Sequence, residues 1–223
     1  MFDLLLVTDE AVAHRAGRSV VETVAWALRC EGAGRVAVLL RERDSAEEQV
    51  ERSARTLLPV VEAAGARLLV HTHAQVATCL GLFGVHMAAG AFIEDARRRL
   101  APGALVGASR HAGDRLDESA LEGIDYVIVA PVFRPTSKPA DARPTLGLEG
   151  LSRAVNESTR PVVALGGISV ENAAACMRAG ASAIAVLGGV MAAVDPACAV
   201  RGYLDAIARG RGDSFGMGAR GSV

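Results

Sequence analysis

The chain has 223 residues, of which 51% are hydrophobic and 4% aromatic, and a formal net charge of −1. That composition supports one sizeable core. It gives no basis for bulk electrostatic binding of nucleic acid or of an anionic membrane, and scarce aromatics argue against stacking platforms for single strands.

The first residues, Met1 to Asp9, carry an apolar run with no basic segment before it. The run is too short for a signal peptide or a membrane span, so it reads as a strand over 4–8. Apolar runs of strand length then recur at 36–40, 68–71, 84–87, 105–108, 126–129, 162–165 and 183–187. Longer amphipathic stretches separate them, predicting helices over 19–30, 46–64, 74–80, 91–100, 116–122, 148–157, 170–179 and 196–208. Val, Ile and Leu fill the strands, as expected where both faces of a sheet are covered. Strand–helix alternation implies parallel strands with crossover helices, and eight units fit a closed (β/α)8 TIM barrel better than a doubly wound sheet.

Local chemistry marks several boundaries. Asp44 or Ser45 suits the cap of the helix at 46–64, Ser169 the cap of the helix at 170–179, and Asp195 followed by Pro196 the start of the last helix. Gly180 suits a helix end. The connection from Pro131 to Gly147 is long, contains four prolines and follows the sixth strand, so it is a candidate lid. No composition shift divides the chain: residues 1–209 form one barrel, and 210–223 a flexible Gly-rich tail. Cys30, Cys79, Cys176 and Cys198 form no C-x-x-C pair, which predicts buried free thiols and a cytoplasmic location.

Function in a barrel is read at the strand ends, where the βα loops build the site. The last two strands end in Gly166-Gly167 and Gly188-Gly189, each before a helix. Glycines let the backbone approach a ligand closely, so the two pairs in tandem predict a phosphate site. Toward the same mouth the other strands send Thr8 and Asp9, Arg41 to Asp44, His71 and His73, His86, Ser109 to His111, and Pro131 to Phe133 with Lys138 beyond. Arg41, Arg43 and Lys138 supply positive charge for an anionic ligand. His111 can give and take a proton. His71, His73 and His86 have a spacing compatible with a metal, but they lack convergent carboxylate or Cys ligands apart from Asp9, so no metal site is expected.

The run from Val163 to Ser169, followed by Glu171-Asn172, Ala179-Gly180-Ala181 and Ala185-Val186, resembles the thiamine phosphate synthase/TenI family. So do the stretches Leu40 to Asp44, Ala130 to Phe133 with Lys138, and Leu146 to Gly150. The resemblance spans roughly Leu4 to Met191 and implies a TIM barrel, a small phosphorylated thiazole as partner, and a homodimer formed by apolar barrel helices. Two activities come with it. Synthases join a pyrimidine pyrophosphate to a thiazole phosphate with Mg2+, whereas TenI-type members tautomerise a carboxythiazole phosphate.

Departures from the family pattern favour the tautomerase. The Asn-Asp of synthases aligns with His71-Thr72, and their second Asp with Gly90 in the run from Gly84 to Gly90. The Gln-Leu-Arg-x-Lys motif becomes Leu39-Leu40-Arg41-Glu42-Arg43, and Thr-x-Thr-Lys becomes Pro135-Thr136-Ser137-Lys138. Ser109-Arg110-His111 aligns with the Ser-Val-His of TenI-type proteins. The resemblance thus implies His111 as proton shuttle, with Arg41, Arg43, Ser109, Ser137 and Lys138 binding substrate. Gly166, Gly167, Gly188 and Gly189 would hold phosphate, and no cofactor would be required. A synthase using Mg2+ on Asp9 or Glu42, and a non-catalytic binder of a phosphorylated ligand, are the alternatives.

Overall fold

The computed structural model describes residues 1–42, 45–111, 113–134 and 144–212. Eight parallel strands close into a barrel in sequence order: β1 Leu4–Val7, β2 Val36–Leu40, β3 Arg67–His71, β4 Gly84–Met87, β5 Leu105–Arg110, β6 Tyr126–Val129, β7 Val162–Leu165 and β8 Ala183–Val186. Closure is direct, with Leu4 of β1 in register with Val36 of β2 and with Ile184 of β8. Around the barrel lie α1 Glu10–Arg15, α2 Val20–Ala27, α3 Glu47–Ala63, α4 Ala74–Cys79, α5 Ile93–Arg99, α6 Gly147–Glu157, α7 Val170–Arg178, α8 Gly188–Met191 and α9 Pro196–Arg211. Among the described residues no helix is long and apolar enough to cross a membrane.

Strand alternation divides the core in two. Leu5, Val7, Leu39, Leu69, Ile128 and Val163 point inward and fill the barrel with Phe2 and Tyr126. Leu4, Leu6, Val38, Val70 and Ile184 point outward against the helices. The inward layer is nearly inaccessible to solvent, so truncating Leu69 to Ala would cost about 2–5 kcal/mol. It also fills the lower barrel, which leaves the upper end for a cavity.

Several helix ends follow side-chain chemistry. The Asp195 carboxylate accepts from the Cys198 N–H at 2.8 Å with Pro196 at the first helical position, and Gly180 follows α7 at φ +98°. Ser19 and Glu22 form a capping box at α2. Ser169 is the N-cap residue of α7, and the Asn172 side chain accepts from its N–H at 2.8 Å.

Other expectations need correction. The helix expected over 116–122 is a single 3-10 turn, Ser119–Leu121, while the short helices α1 and α8 were not anticipated. Ala46, not Ser45, is the N-cap residue of α3, with no side-chain cap, and Asp44 lies outside the described residues. Cys30 and Cys176 are buried, but Cys79 and Cys198 are exposed. The final helix continues through Gly210 and Arg211. The Arg211 guanidinium donates to Asp3 and to the Ser182 carbonyl, each at 2.7 Å, so the chain is anchored past 209. Residues 213–223, and residues 135–143 of the lid expected from Pro131 to Gly147, lie outside the described residues.

Candidate active site

A cavity of about 330 Å³ opens at the C-terminal ends of the strands. Leu39, Ile128, Leu165 and Ala185 line its apolar part, and Arg41, His71, His86, Ser109, Arg110 and His111 are among its polar groups. Both glycine pairs border it. The structure therefore brings together His111, Arg41, Ser109, Gly166, Gly167, Gly188 and Gly189 from the sequence-derived set. Arg43, Ser137 and Lys138 lie outside the described residues.

The first glycine pair is required by backbone geometry. Gly166 and Gly167 have φ of +101° and +60°. A Cβ on Gly166 would lie 2.8 Å from the Pro131 Cα, and one on Gly167 2.6 Å from the Arg134 carbonyl oxygen. The reason is the loop after β6, which folds over this turn: Val132 N–H donates to the Leu165 carbonyl and Phe133 N–H to the Gly166 carbonyl, each at 2.9 Å. At the second pair, α8 begins on Gly188 and no side chain caps it. The first N–H groups of a helix have no intrahelical acceptor, so they are available to a ligand oxygen. Tyr203 of α9 stands behind Gly189, where a Cβ would overlap its hydroxyl. That hydroxyl donates to the Ile168 carbonyl at 3.0 Å, tying both glycine turns to one buried ring.

Opposite the glycines sits a histidine-rich wall. His86 is buried on β4, and its Nε2 lies 2.9 Å from Ser109 Oγ and its Nδ1 3.3 Å from the Tyr126 hydroxyl. Burial, together with the charge of nearby His71, lowers its pKa to about 3, so the ring is neutral. The His71 ring stacks on it at 6.4 Å between centroids. His73 is not on this wall. It is the N-cap residue of α4, with Nδ1 3.9 Å from a Glu47 carboxylate oxygen.

His111 follows β5 at the rim. Its N–H donates to the Asp114 carboxylate at 2.7 Å, and its Nδ1 lies 3.8 Å from the same carboxylate. The side chain is 41% exposed, so a ligand can reach it. Arg41 pairs with Asp9 at 3.2 Å. Asp9 also caps α1 by accepting from the Val12 N–H at 3.1 Å. Arg110, overlooked in the sequence although it lies within Ser109–His111, borders the cavity and donates to the Ser109 and Ala120 carbonyls at 3.0 Å.

Of the two carboxylates that could hold Mg2+ in a synthase, Glu42 has one buried oxygen without a hydrogen-bond partner among the described residues. The family resemblance places Thr72 and Gly90 where synthases carry carboxylates, and Gly90 adopts φ +78°. Asp9 is committed to Arg41 and the α1 cap. Among the described residues no group of three or more His, Cys, Asp or Glu is placed to hold a metal.

A family model described as thiamine monophosphate synthase matches residues 4–190. The thiamine-phosphate synthase of Roseiflexus castenholzii is 35% identical over 205 residues, covering 92% of this chain and 87% of that protein. That of Chloroflexus aurantiacus is 35% identical over 199 residues, covering 89% of each. The solved structure of thiamine phosphate pyrophosphorylase from Pyrococcus furiosus superposes with a TM-score of 0.78 at 27% identity, covering 94% of this chain and 97% of that one.

Proposed function

The chain belongs to the thiamine monophosphate synthase family, and from that premise we propose that it acts in thiamine biosynthesis on a thiazole phosphate, as an isomerase that moves a proton. The observation that carries the proposal is one cavity lined by both glycine turns and by His111. The phosphate sits on the backbone N–H groups beside Gly167 and Gly188, where no side chain intrudes. Arg41 and Arg110 supply charge for the carboxylate of a carboxythiazole phosphate. His111 takes a proton from one position of the ring system and returns it to another, with Asp114 beside its Nδ1 to orient the ring. The transfer is neutral overall and uses neither redox chemistry nor a metal.

A second reading, the transferase, draws support from the names of the relatives, which are thiamine-phosphate synthases. Against it stand Thr72 and Gly90 at the positions aligned with the synthase carboxylates. Turnover of carboxythiazole phosphate, supplied without a pyrimidine partner, tests the isomerase. Inert carboxythiazole phosphate, with thiamine phosphate formed once pyrimidine pyrophosphate is added, supports the transferase instead.

A further inference from the structure

Three strands meet behind the cavity wall at Ser109. In the sheet register His86 of β4 is paired with Gly107 of β5, and Gly107 with Tyr126 of β6. Gly107 contributes no side chain, and a Cβ there would overlap the Tyr126 ring. The gap admits the phenol beneath His86. Ser109, two residues along β5 on the same face, stands on the other side of the imidazole.

We propose that Tyr126 and His86 are positioning residues that hold Ser109 as a fixed hydrogen-bond donor toward an unprotonated acceptor atom of the ligand. Proton accounting supports this direction. Tyr126 is buried, burial raises its pKa, and it remains a phenol. Its one proton has the Nδ1 of His86 as acceptor at 3.3 Å. The reverse chain would leave the buried phenol hydrogen without an acceptor among the described residues, so the single N–H of the neutral imidazole is assigned to Nε2, which donates to Ser109 Oγ at 2.9 Å. With its oxygen engaged as acceptor, Ser109 directs its own hydrogen into the cavity that it lines. A ligand with a bare ring nitrogen, carboxylate oxygen or phosphate oxygen at that point is accepted. One presenting N–H or O–H there meets a donor and is disfavoured.

The direction of the chain depends only on this wall; the identity of the acceptor rests on the thiazole phosphate reading. The experiment is NMR of the full chain labelled with 15N-histidine, with the His86 resonances assigned by loss in His86→Gln. The expected spectrum has a protonated Nε2 and an unprotonated Nδ1 for His86. Tyr126→Phe, which keeps the ring in place, should mix the two tautomers. It should also weaken thiazole phosphate binding several-fold, and adding Ser109→Ala should weaken it little further. A wild-type His86 protonated at Nδ1 overturns the proposal. So does a folded Tyr126→Phe protein with unchanged tautomer and affinity. If thiazole phosphate does not bind the wild type at all while the Nε2–H tautomer is found, the functional reading fails and the donor direction stands.

Discussion

Tyr203 reaches from α9 to donate its hydroxyl hydrogen to the Ile168 carbonyl, and the same hydroxyl occupies the place of a Gly189 side chain. One buried phenol thus sets the spacing between the turn after β7 and the start of α8. Gly189→Ala should therefore cost about 1–3 kcal/mol of stability by overpacking and weaken phosphate binding. Tyr203→Phe, placed on that background, removes the clashing oxygen and should recover part of the stability. Thermal unfolding of the two single variants and the double variant reads the coupling. Additive effects would show that the ring does not act on Gly189.

Gly188→Asp should abolish binding of phosphorylated ligand. The new carboxylate would repel the phosphate and fill the path by which it reaches the first N–H groups of α8. Titration calorimetry with thiazole phosphate on the folded variant checks this. Unchanged affinity would place the phosphate elsewhere.

His111→Asn should leave fold and phosphate binding nearly intact and lower kcat by ~10²–10⁴-fold, the usual worth of a general acid–base group. If His111 only bound substrate, KM would rise with kcat little changed. Steady-state kinetics on carboxythiazole phosphate separates the two.

His86 gives the fold a pH signature. Its folded pKa is about 3, against 6.5 for the free side chain. Between these values the unfolded chain binds a proton that the native state does not, so stability should fall as pH drops from 6.5 toward 3. The loss is on the order of a few kcal/mol. Denaturant unfolding at pH 7 and pH 5 should show a smaller difference in His86→Gln than in the wild type. An equal difference would mean that other groups carry the acid sensitivity.

Much of this was legible in the chain because barrel strands are short apolar runs between polar boundaries. β2, β4, β6 and β7 span the expected residues. The stretch around Leu116–Glu122 carries helix-like apolar spacing, yet only Ser119–Leu121 turns. Pattern alone does not separate one turn from three. The six-residue α1 fell below the length at which periodicity speaks, although Asp9 was there to cap it. In the site, Gly166-Gly167 was readable because a positive φ demands glycine, whereas Gly189 is required by the Tyr203 hydroxyl packed against it. The wall formed by Tyr126, His86 and Ser109 was not readable, since strand register creates it and residues 40 apart meet only after closure. Gly107 inside a strand was the local sign of that close approach.

The most direct test is product analysis with and without metal. The chain is incubated with carboxythiazole phosphate in EDTA and, separately, with thiazole phosphate and pyrimidine pyrophosphate in Mg2+. The expected result is isomerisation at a rate unaffected by EDTA, and no thiamine phosphate in the second mixture. Thiamine phosphate formed in Mg2+ and lost in EDTA, with carboxythiazole phosphate left unchanged, would contradict the assignment.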